Sequence, residues 1–187
     1  MIKDLTKKHI PDFYRWISNK SAVEFSLSAF QPERDISWVE QYVSKIINDD
    51  SCWNQAIMID GIAIGYCGLS NISRQNCNAE YFILIGDDKF WNKGIGTQAG
   101  IEVLEYGFTD LRLHRIWLTV SECNPGAIKS YEKLGFKVEG RMRESCYRNG
   151  EYHDKIVMGI LNEECPKRFC SGPARPLAKK HVMPQEI

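Results

Sequence analysis

One short stretch, Trp91-Asn92-Lys93-Gly94-Ile95-Gly96-Thr97, combines residue types suited to holding an anion. Gly94 and Gly96 lack a Cβ, so the backbone there admits a ligand at close range. Tyr81 to Ile85, just upstream, is apolar, aromatic and β-branched, and reads as a strand. Gln98 to Thr109, downstream, has apolar residues at 99, 101, 103, 104 and 108 and reads as a helix beginning at Thr97 and ending near Asp110. A helix start carries unpaired amides and partial positive charge. Loop and helix start together therefore form an anion site suited to a pyrophosphate. A G-x-G alone also fits an ordinary strand-to-helix turn, so it decides nothing without a second signal.

The second signal is Asn124-Pro125-Gly126-Ala127-Ile128-Lys129-Ser130-Tyr131-Glu132-Lys133-Leu134-Gly135-Phe136. Asn124 is a good cap, Pro125 occupies the favoured first helical position, and Gly135 stops the helix. Around these two signals the other elements fall into place. Residues 9 to 19 have helical spacing, with Pro11 in the first turn. Residues 20 to 34 lack a period and read as a loop with some helical content, or a flap. Asp35 caps a helix with Trp38, Val39, Tyr42, Val43, Ile46 and Ile47 on one face. Asp60-Gly61, between Gln55–Ile59 and Ile62–Leu69, is a hairpin signal, and so is Asn149-Gly150, between Arg143–Arg148 and Glu151–Leu161. Asn71 to Asn78 reads as a loop, Ala79 to Gly86 and His114 to Val120 as strands, and Phe136 to Gly140 as a short strand. Interleaved hairpins and helices predict an α/β fold: a mixed, mostly antiparallel central sheet with helices on both faces. Residues 1–161 form the domain. Residues 162–187, with four prolines and a Lys/Arg excess, read as a basic tail, either loosely docked or disordered.

Composition narrows the classes. A length of 187 residues suits one domain, and 43% hydrophobic with 26% charged residues is the balance of a soluble globular protein. Lys+Arg and Asp+Glu both number 24, which argues against a protein that coats nucleic acid. No apolar run approaches a membrane span, and the N-terminus has no signal-type segment. Seven cysteines, an odd number without a C-x-x-C pair, point to reduced thiols in a cytoplasmic protein. Histidines 9, 114, 153 and 181 have no metal spacing, so no metal is expected.

Together, the loop 91–97 and the N-P-x-A-I-x-x-Y-E-K-x-G-F string resemble the GNAT superfamily of acetyl-CoA-dependent N-acetyltransferases. The likeness covers residues 1 to 161 and is closest over 79 to 161. It is similar in particular to the branch of ribosomal-protein N-acetyltransferases and bacterial spermidine acetyltransferases. Trp91 stands where the family's glycine pattern usually has Gln or Arg. The resemblance implies a splayed pair of neighbouring strands holding acetyl-CoA as co-substrate. It implies the pyrophosphate on the amides of Trp91, Asn92, Lys93, Gly94, Ile95, Gly96 and Thr97, and the pantetheine arm along the edge at Leu84, Ile85 and Gly86. Asn124 would offer its amide to the cofactor as well as capping its helix.

The implied reaction is attack of a neutral amine on a thioester. Tyr131, protonated at neutral pH by virtue of a phenol pKa near ~10, would contact the cofactor and donate a proton to the departing sulfur. Glu80, at the start of the strand that leads to the cofactor, would take a proton from the incoming ammonium. Alternatively it is a solvated strand-end carboxylate, and His153, Asp154 and Glu24 are the other base candidates. The acceptor remains open among a protein N-terminal amine, a polyamine and an amino sugar or other small amine. A homo-oligomer is compatible with all three. The alternative reading is a catalytically silent acyl-CoA-binding module that regulates a partner. A P-loop protein is excluded, because no Gly-Lys-Ser/Thr follows the glycines.

Overall fold

The sheet is assembled from hairpins, and local turn chemistry shows why. β2 (Trp53–Ile59) and β3 (Ile62–Ser73) meet at Asp60 and Gly61, whose φ values of 49° and 82° are both left-handed, as a primed hairpin turn requires. β6 (Lys137–Arg148) and β7 (Glu151–Leu161) pair through the corresponding turn, where Gly150 has φ 87°. In this computed structural model the described residues are 1–25, 30, 34–148 and 150–166. Part of the expected 20–34 flap, Asn149 of the second turn and the tail from residue 167 lie outside them.

With β1 (Ile2–Asp4), β4 (Asn78–Ile85) and β5 (Arg115–Ser121), the seven strands run in the order β1-β2-β3-β4-β5-β7-β6. Every neighbouring pair is antiparallel except β4 and β5, so the mixed, mostly antiparallel sheet is as expected. Three strand boundaries differ from the expectation. β1 is too short to show a period, and its pairing with β2 is what makes it a strand. β3 runs through Asn71 to Ser73, because a register shift between Ser70 and Ser73 absorbs the left-handed Asn71 (φ 52°) without ending the strand. β6 is one strand rather than two, with irregularities at Val138/Gly140 and Met142/Cys146 that local polarity disguises as a break.

One face of the sheet carries α1 (Ile10–Ser18), α2 (Lys20–Val23) and α3 (Ile36–Asn48). Asp35 accepts the Trp38 N–H at 2.8 Å and starts α3. Phe13, Trp16, Ile17, Val39 and Val43 pack there on Ala56, Tyr66 and Leu84. Fully burying side chains of the size of Phe13 contributes about 1.5–3 kcal/mol each. The other face carries α4 (Ile95–Glu105), which runs on through a wide π turn to Asp110, and α5 (Pro125–Leu134). Ala99, Val103, Leu104 and Leu134 cover Ile57, Leu69, Ile116, Leu118, Met158 and Ile160. The first residues of the tail join this core. Cys165 is buried within it, and Glu164 pairs with Lys137. Among the described residues no helix is long and apolar enough to cross a membrane.

Candidate active site

β4 and β5 are hydrogen-bonded over three residue pairs only, ending at Glu80↔Trp117. Beyond that point β4 stays on β3 as far as Gly65↔Ile85, and β5 stays on β7 as far as Ser121↔Lys155. Each strand follows the twist of its own partner, so the two part. The result is a wedge between Tyr81–Ile85 and Leu118–Ser121 through which both faces of the sheet communicate.

The glycine loop closes the wide end of the wedge on the β4 side. Asn92 (φ 57°) and Gly94 (φ 76°) are left-handed, and Gly94 becomes the cap residue of α4. The helix therefore begins at Ile95, two residues before its expected start. Its first intrahelical bond runs from the Gln98 N–H to the Gly94 carbonyl at 2.9 Å, which leaves the amides of residues 95–97 ahead of the ladder as anion donors. A Cβ on Gly96 would stand 3.5 Å from Ile85 Cδ1 and 3.7 Å from Ile83 Cδ1, ordinary contact distances. Any longer side chain there grows over the wedge, so the glycine keeps open space that the protein itself does not fill. Trp91 has a role that its position in the motif did not reveal. Its indole N–H donates to the Ile85 carbonyl at 3.0 Å and fastens the loop to the end of β4. Gly86 has partners inside the protein on both sides: its N–H donates to the Ile64 carbonyl, and its carbonyl accepts from Asn19 Nδ2. A Cβ on Gly86 would strike the Trp16 ring.

α5 lies across the wedge from α4. Asn124 Oδ1 accepts the Ala127 N–H at 3.0 Å, so its carbonyl oxygen caps the helix and its amide nitrogen is a separate donor. Thr97 and Ser130 share a 3.0 Å hydroxyl hydrogen bond that joins the first turn of α4 to the middle of α5. The next residue, Tyr131, packs edge-on against Tyr81 with centroids 5.9 Å apart, and also against Phe136. Burial pushes its phenol up to about 12. Tyr131 is a protonated donor throughout the physiological range.

Glu80 stands at the narrow end. Side chains alternate along a strand, so Glu80 opens onto the face opposite Tyr81 and hence opposite Tyr131. Its Oε2 accepts from Asn71 Nδ2 at 2.8 Å. Asn71 reads as loop in the sequence, and only the irregularity in β3 turns its amide onto the carboxylate. Of the other base candidates, Asp154 is lowered from its ordinary carboxylate value by Arg141, 2.8 Å away, and by the Glu144 N–H. His153 Nδ1 lies 3.3 Å from Cys123 Sγ. Glu24 lines a separate feature.

That feature is an open cleft of about 420 Å³ between α2 and the tip of the β6–β7 hairpin. Asn19, which precedes α2, ties it to the end of β4 through Gly86. The hairpin continues past the end of β5, paired only with itself at Cys146↔His153, Tyr147↔Tyr152 and Arg148↔Glu151. Arg148 Nη1 donates to the Glu24 carbonyl and joins the two walls. The cleft thus bridges the two lips of the wedge, on the face that Glu80 shares. Lys20, Tyr147 and Arg148 line it, and no local pattern marked them in advance. Among the described residues no group of His, Cys, Asp and Glu could hold a metal ion.

The model of the acetyltransferase (GNAT) domain matches residues 1–137. The chain is 35% identical over 120 residues to the spermidine N(1)-acetyltransferase of Escherichia coli K12, covering 64% of this chain and 64% of that protein. It is 32% identical over 108 residues to the putative ribosomal N-acetyltransferase YdaF of Bacillus subtilis, covering 58% of each. The chain thus spans somewhat under two thirds of the length of these two relatives. A crystal structure of the spermidine N-acetyltransferase from Vibrio cholerae, in complex with CoA and spermine, superposes with a TM-score of 0.80 at 27% identity, over 88% of this chain and 96% of that one.

Proposed function

The chain belongs to the GNAT acetyltransferase family, and on that premise we propose that it transfers the acetyl group of acetyl-CoA to a primary amine. The observation that carries this reading is the early end of the β4–β5 ladder, with the unpaired amides of α4 at its mouth. The amides of residues 95–97 and the loop Trp91–Gly94 hold the pyrophosphate. Leu84 and Ile85 accompany the pantetheine arm, and Asn124 offers its amide nitrogen; Gly86, whose backbone groups are paired within the protein and whose Cα faces Trp16, is left out of that role.

Placing Glu80 and Tyr131 on opposite faces of β4 suits a displacement. Glu80, oriented by Asn71, takes a proton from the incoming ammonium on the cleft side. The neutral amine forms the new C–N bond with the acetyl carbon as the C–S bond breaks. Tyr131 gives its proton to the departing sulfur on the α4–α5 side; the nitrogen, which carries a surplus proton once bonded to the acetyl carbon, releases it to solvent, and the phenolate is reprotonated from there. With its pKa near 12, Tyr131 never ionises at working pH, so the donor form is always present. Spermidine is the acceptor named for two of the relatives, which supports a small amine here. The six described cysteines are free thiols, which supports a cytoplasmic enzyme. Nothing in the site favours a silent acyl-CoA-binding module.

The test is release of free CoA thiol when the protein is mixed with acetyl-CoA and a panel of amines. Amine-dependent release that disappears in Tyr131→Phe is the expected result. Acetyl-CoA binding with no release from any amine would replace the enzyme by the silent module.

A further inference from the structure

The protein has five tryptophans, and the fold itself engages all but one of them. Trp16 stacks on Tyr66, Trp38 on Tyr42 and Trp53 on Tyr106, while Trp91 donates its indole N–H to the Ile85 carbonyl. Trp117 differs. It is half-buried, yet among the described residues its ring has no aromatic partner, no cation over it and no hydrogen bond. An indole offers a large apolar face and a polar edge, and burial normally finds both of them partners. A half-buried indole that the protein leaves unused is surface open to a ligand.

Its position shows which ligand. Trp117 pairs with Glu80 at the last rung of the β4–β5 ladder, so the wedge opens directly beyond it. Paired residues of a parallel ladder share a face, and neighbouring strands stand roughly 5 Å apart, so the indole flanks the Glu80 carboxylate. The hydrophobic core under the helices of that face draws on Ala56, Ala63, Tyr66 and Leu84, from β2, β3 and β4, and among the described residues on none from β5 or β7. The ring therefore stands where the helical cover ends. Its partner on β7 is Gly159, over which Arg115 and Glu139 lie as an ion pair, so Arg115 is already matched by a carboxylate. A carboxylate beside an open aromatic face suits an alkylammonium: the carboxylate accepts its N–H groups, and the negative face of the ring attracts its charge.

Resting on the acetyl-transfer reading above, we infer that Trp117 binds the acceptor, its indole face holding the ammonium from which Glu80 takes a proton. The amine is cationic when it arrives and neutral when it attacks, so the contact serves binding rather than the chemical step. Contacts of this kind change affinity by about two- to thirtyfold.

Two measurements test it. In the first, tetramethylammonium, which has no proton to lose, is titrated into the protein while the Trp117 indole N–H resonance is followed, that resonance being the one lost in Trp117→Phe. A saturable shift is expected, with none from neutral tert-butanol of similar shape. In the second, CoA thiol release from a panel of amines including spermidine, leucinamide and glucosamine is measured with increasingly fluorinated tryptophans placed at position 117. Fluorine weakens the negative face of the ring and hardly alters its shape. The acceptor KM should rise with each fluorine, and by about two- to thirtyfold in Trp117→Leu, with kcat and the acetyl-CoA KM nearly unchanged. An acceptor KM indifferent to fluorination overturns the inference, because a packing role depends on shape alone. A resonance that tetramethylammonium leaves in place, or that tert-butanol moves equally, also overturns it. Either result leaves acetyl transfer standing as long as an amine releases CoA. Acetyl-CoA binding without release from any amine overturns acetyl transfer itself, and the acceptor role of Trp117 with it.

Discussion

The cofactor side and the acceptor side that we propose for this site are built on different principles. The cofactor side comes from contiguous chain: strand, glycine loop and helix follow one another from Asn78 to Glu105. Its tools are mainly backbone amides, a left-handed glycine and a wedge between strands. The acceptor side joins segments far apart, as the contact of Arg148 with a carbonyl 124 positions away shows. Its tools are side chains on a short helix and a hairpin tip. Backbone tools suit a ligand that stays the same, since few substitutions alter them. Side-chain tools suit a partner that differs between relatives, since a single exchange resets charge or shape.

The sharpest way to break this contrast is to fill the space kept by the backbone. Gly96→Glu leaves room for its Cβ but drives a negative side chain over the wedge. Acetyl-CoA binding should be abolished while the protein stays folded. Calorimetry on the folded variant checks it, and undiminished affinity would mean that the phosphates bind elsewhere.

Tyr131→Phe comes next. General acid catalysis contributes about 10²–10⁴-fold, and kcat should fall within that range with little change in the acetyl-CoA KM. Retention of more than about a third of turnover, with chemistry limiting, would show that the thiolate leaves unassisted. The same residue makes a stability prediction. A tyrosine ionises near ~10 when unfolded and near 12 here, so burial of the neutral phenol supports the fold fully below the first value. That support is lost as pH rises through the second. Between pH ~10 and ~12 the stability of Tyr131→Phe should therefore decline less steeply than that of the native protein, as read by denaturant melts at fixed pH.

A smaller effect is expected at Glu80. Glu80→Gln should lower kcat at neutral pH by about ten- to a hundredfold, toward the lower end of acid–base contributions. Added alkali should recover part of the loss, because an amine that is already neutral needs no base. Asn71→Ala should reproduce a fraction of the defect through the misplaced carboxylate. Full activity in Glu80→Gln across the pH range would return Glu80 to the role of a solvated strand-end carboxylate.

The mildest prediction concerns Trp91→Phe, which removes the hydrogen bond to the Ile85 carbonyl. One such bond is worth about 0.5–1.5 kcal/mol, so the acetyl-CoA Kd should rise by roughly two- to tenfold with kcat nearly unchanged. An unaltered Kd would mean that the loop keeps its shape without its tie to β4, and that its backbone alone organises the cofactor side.

Much of this molecule was legible in advance, and the legible parts share one property: their cause lies within a few residues. Asp60-Gly61 turns a hairpin because both residues tolerate positive φ, and Asn124, Pro125 and Gly135 bound α5 by capping chemistry alone. Gly94, with φ 76°, starts α4 for the same reason. Where the cause lies far away, tertiary structure alone decided. β1 is a strand because β2 offers it an edge, and β6 is continuous because β7 carries it across two irregularities. Asn71 orients Glu80 because a register shift in β3 turns it there. The expected boundary after Leu161 is blurred because Cys165 finds a place in the core, so any tail truncation that spares the fold must begin beyond Pro166. The cleft between α2 and the hairpin tip exists only because Asn19 ties α2 to Gly86 and Arg148 reaches Glu24. Backbone conformation is set by neighbours in sequence, so the chain alone specified its glycine loop. Apposition of distant side chains is set by packing, so only the folded sheet brought the two walls of the cleft together.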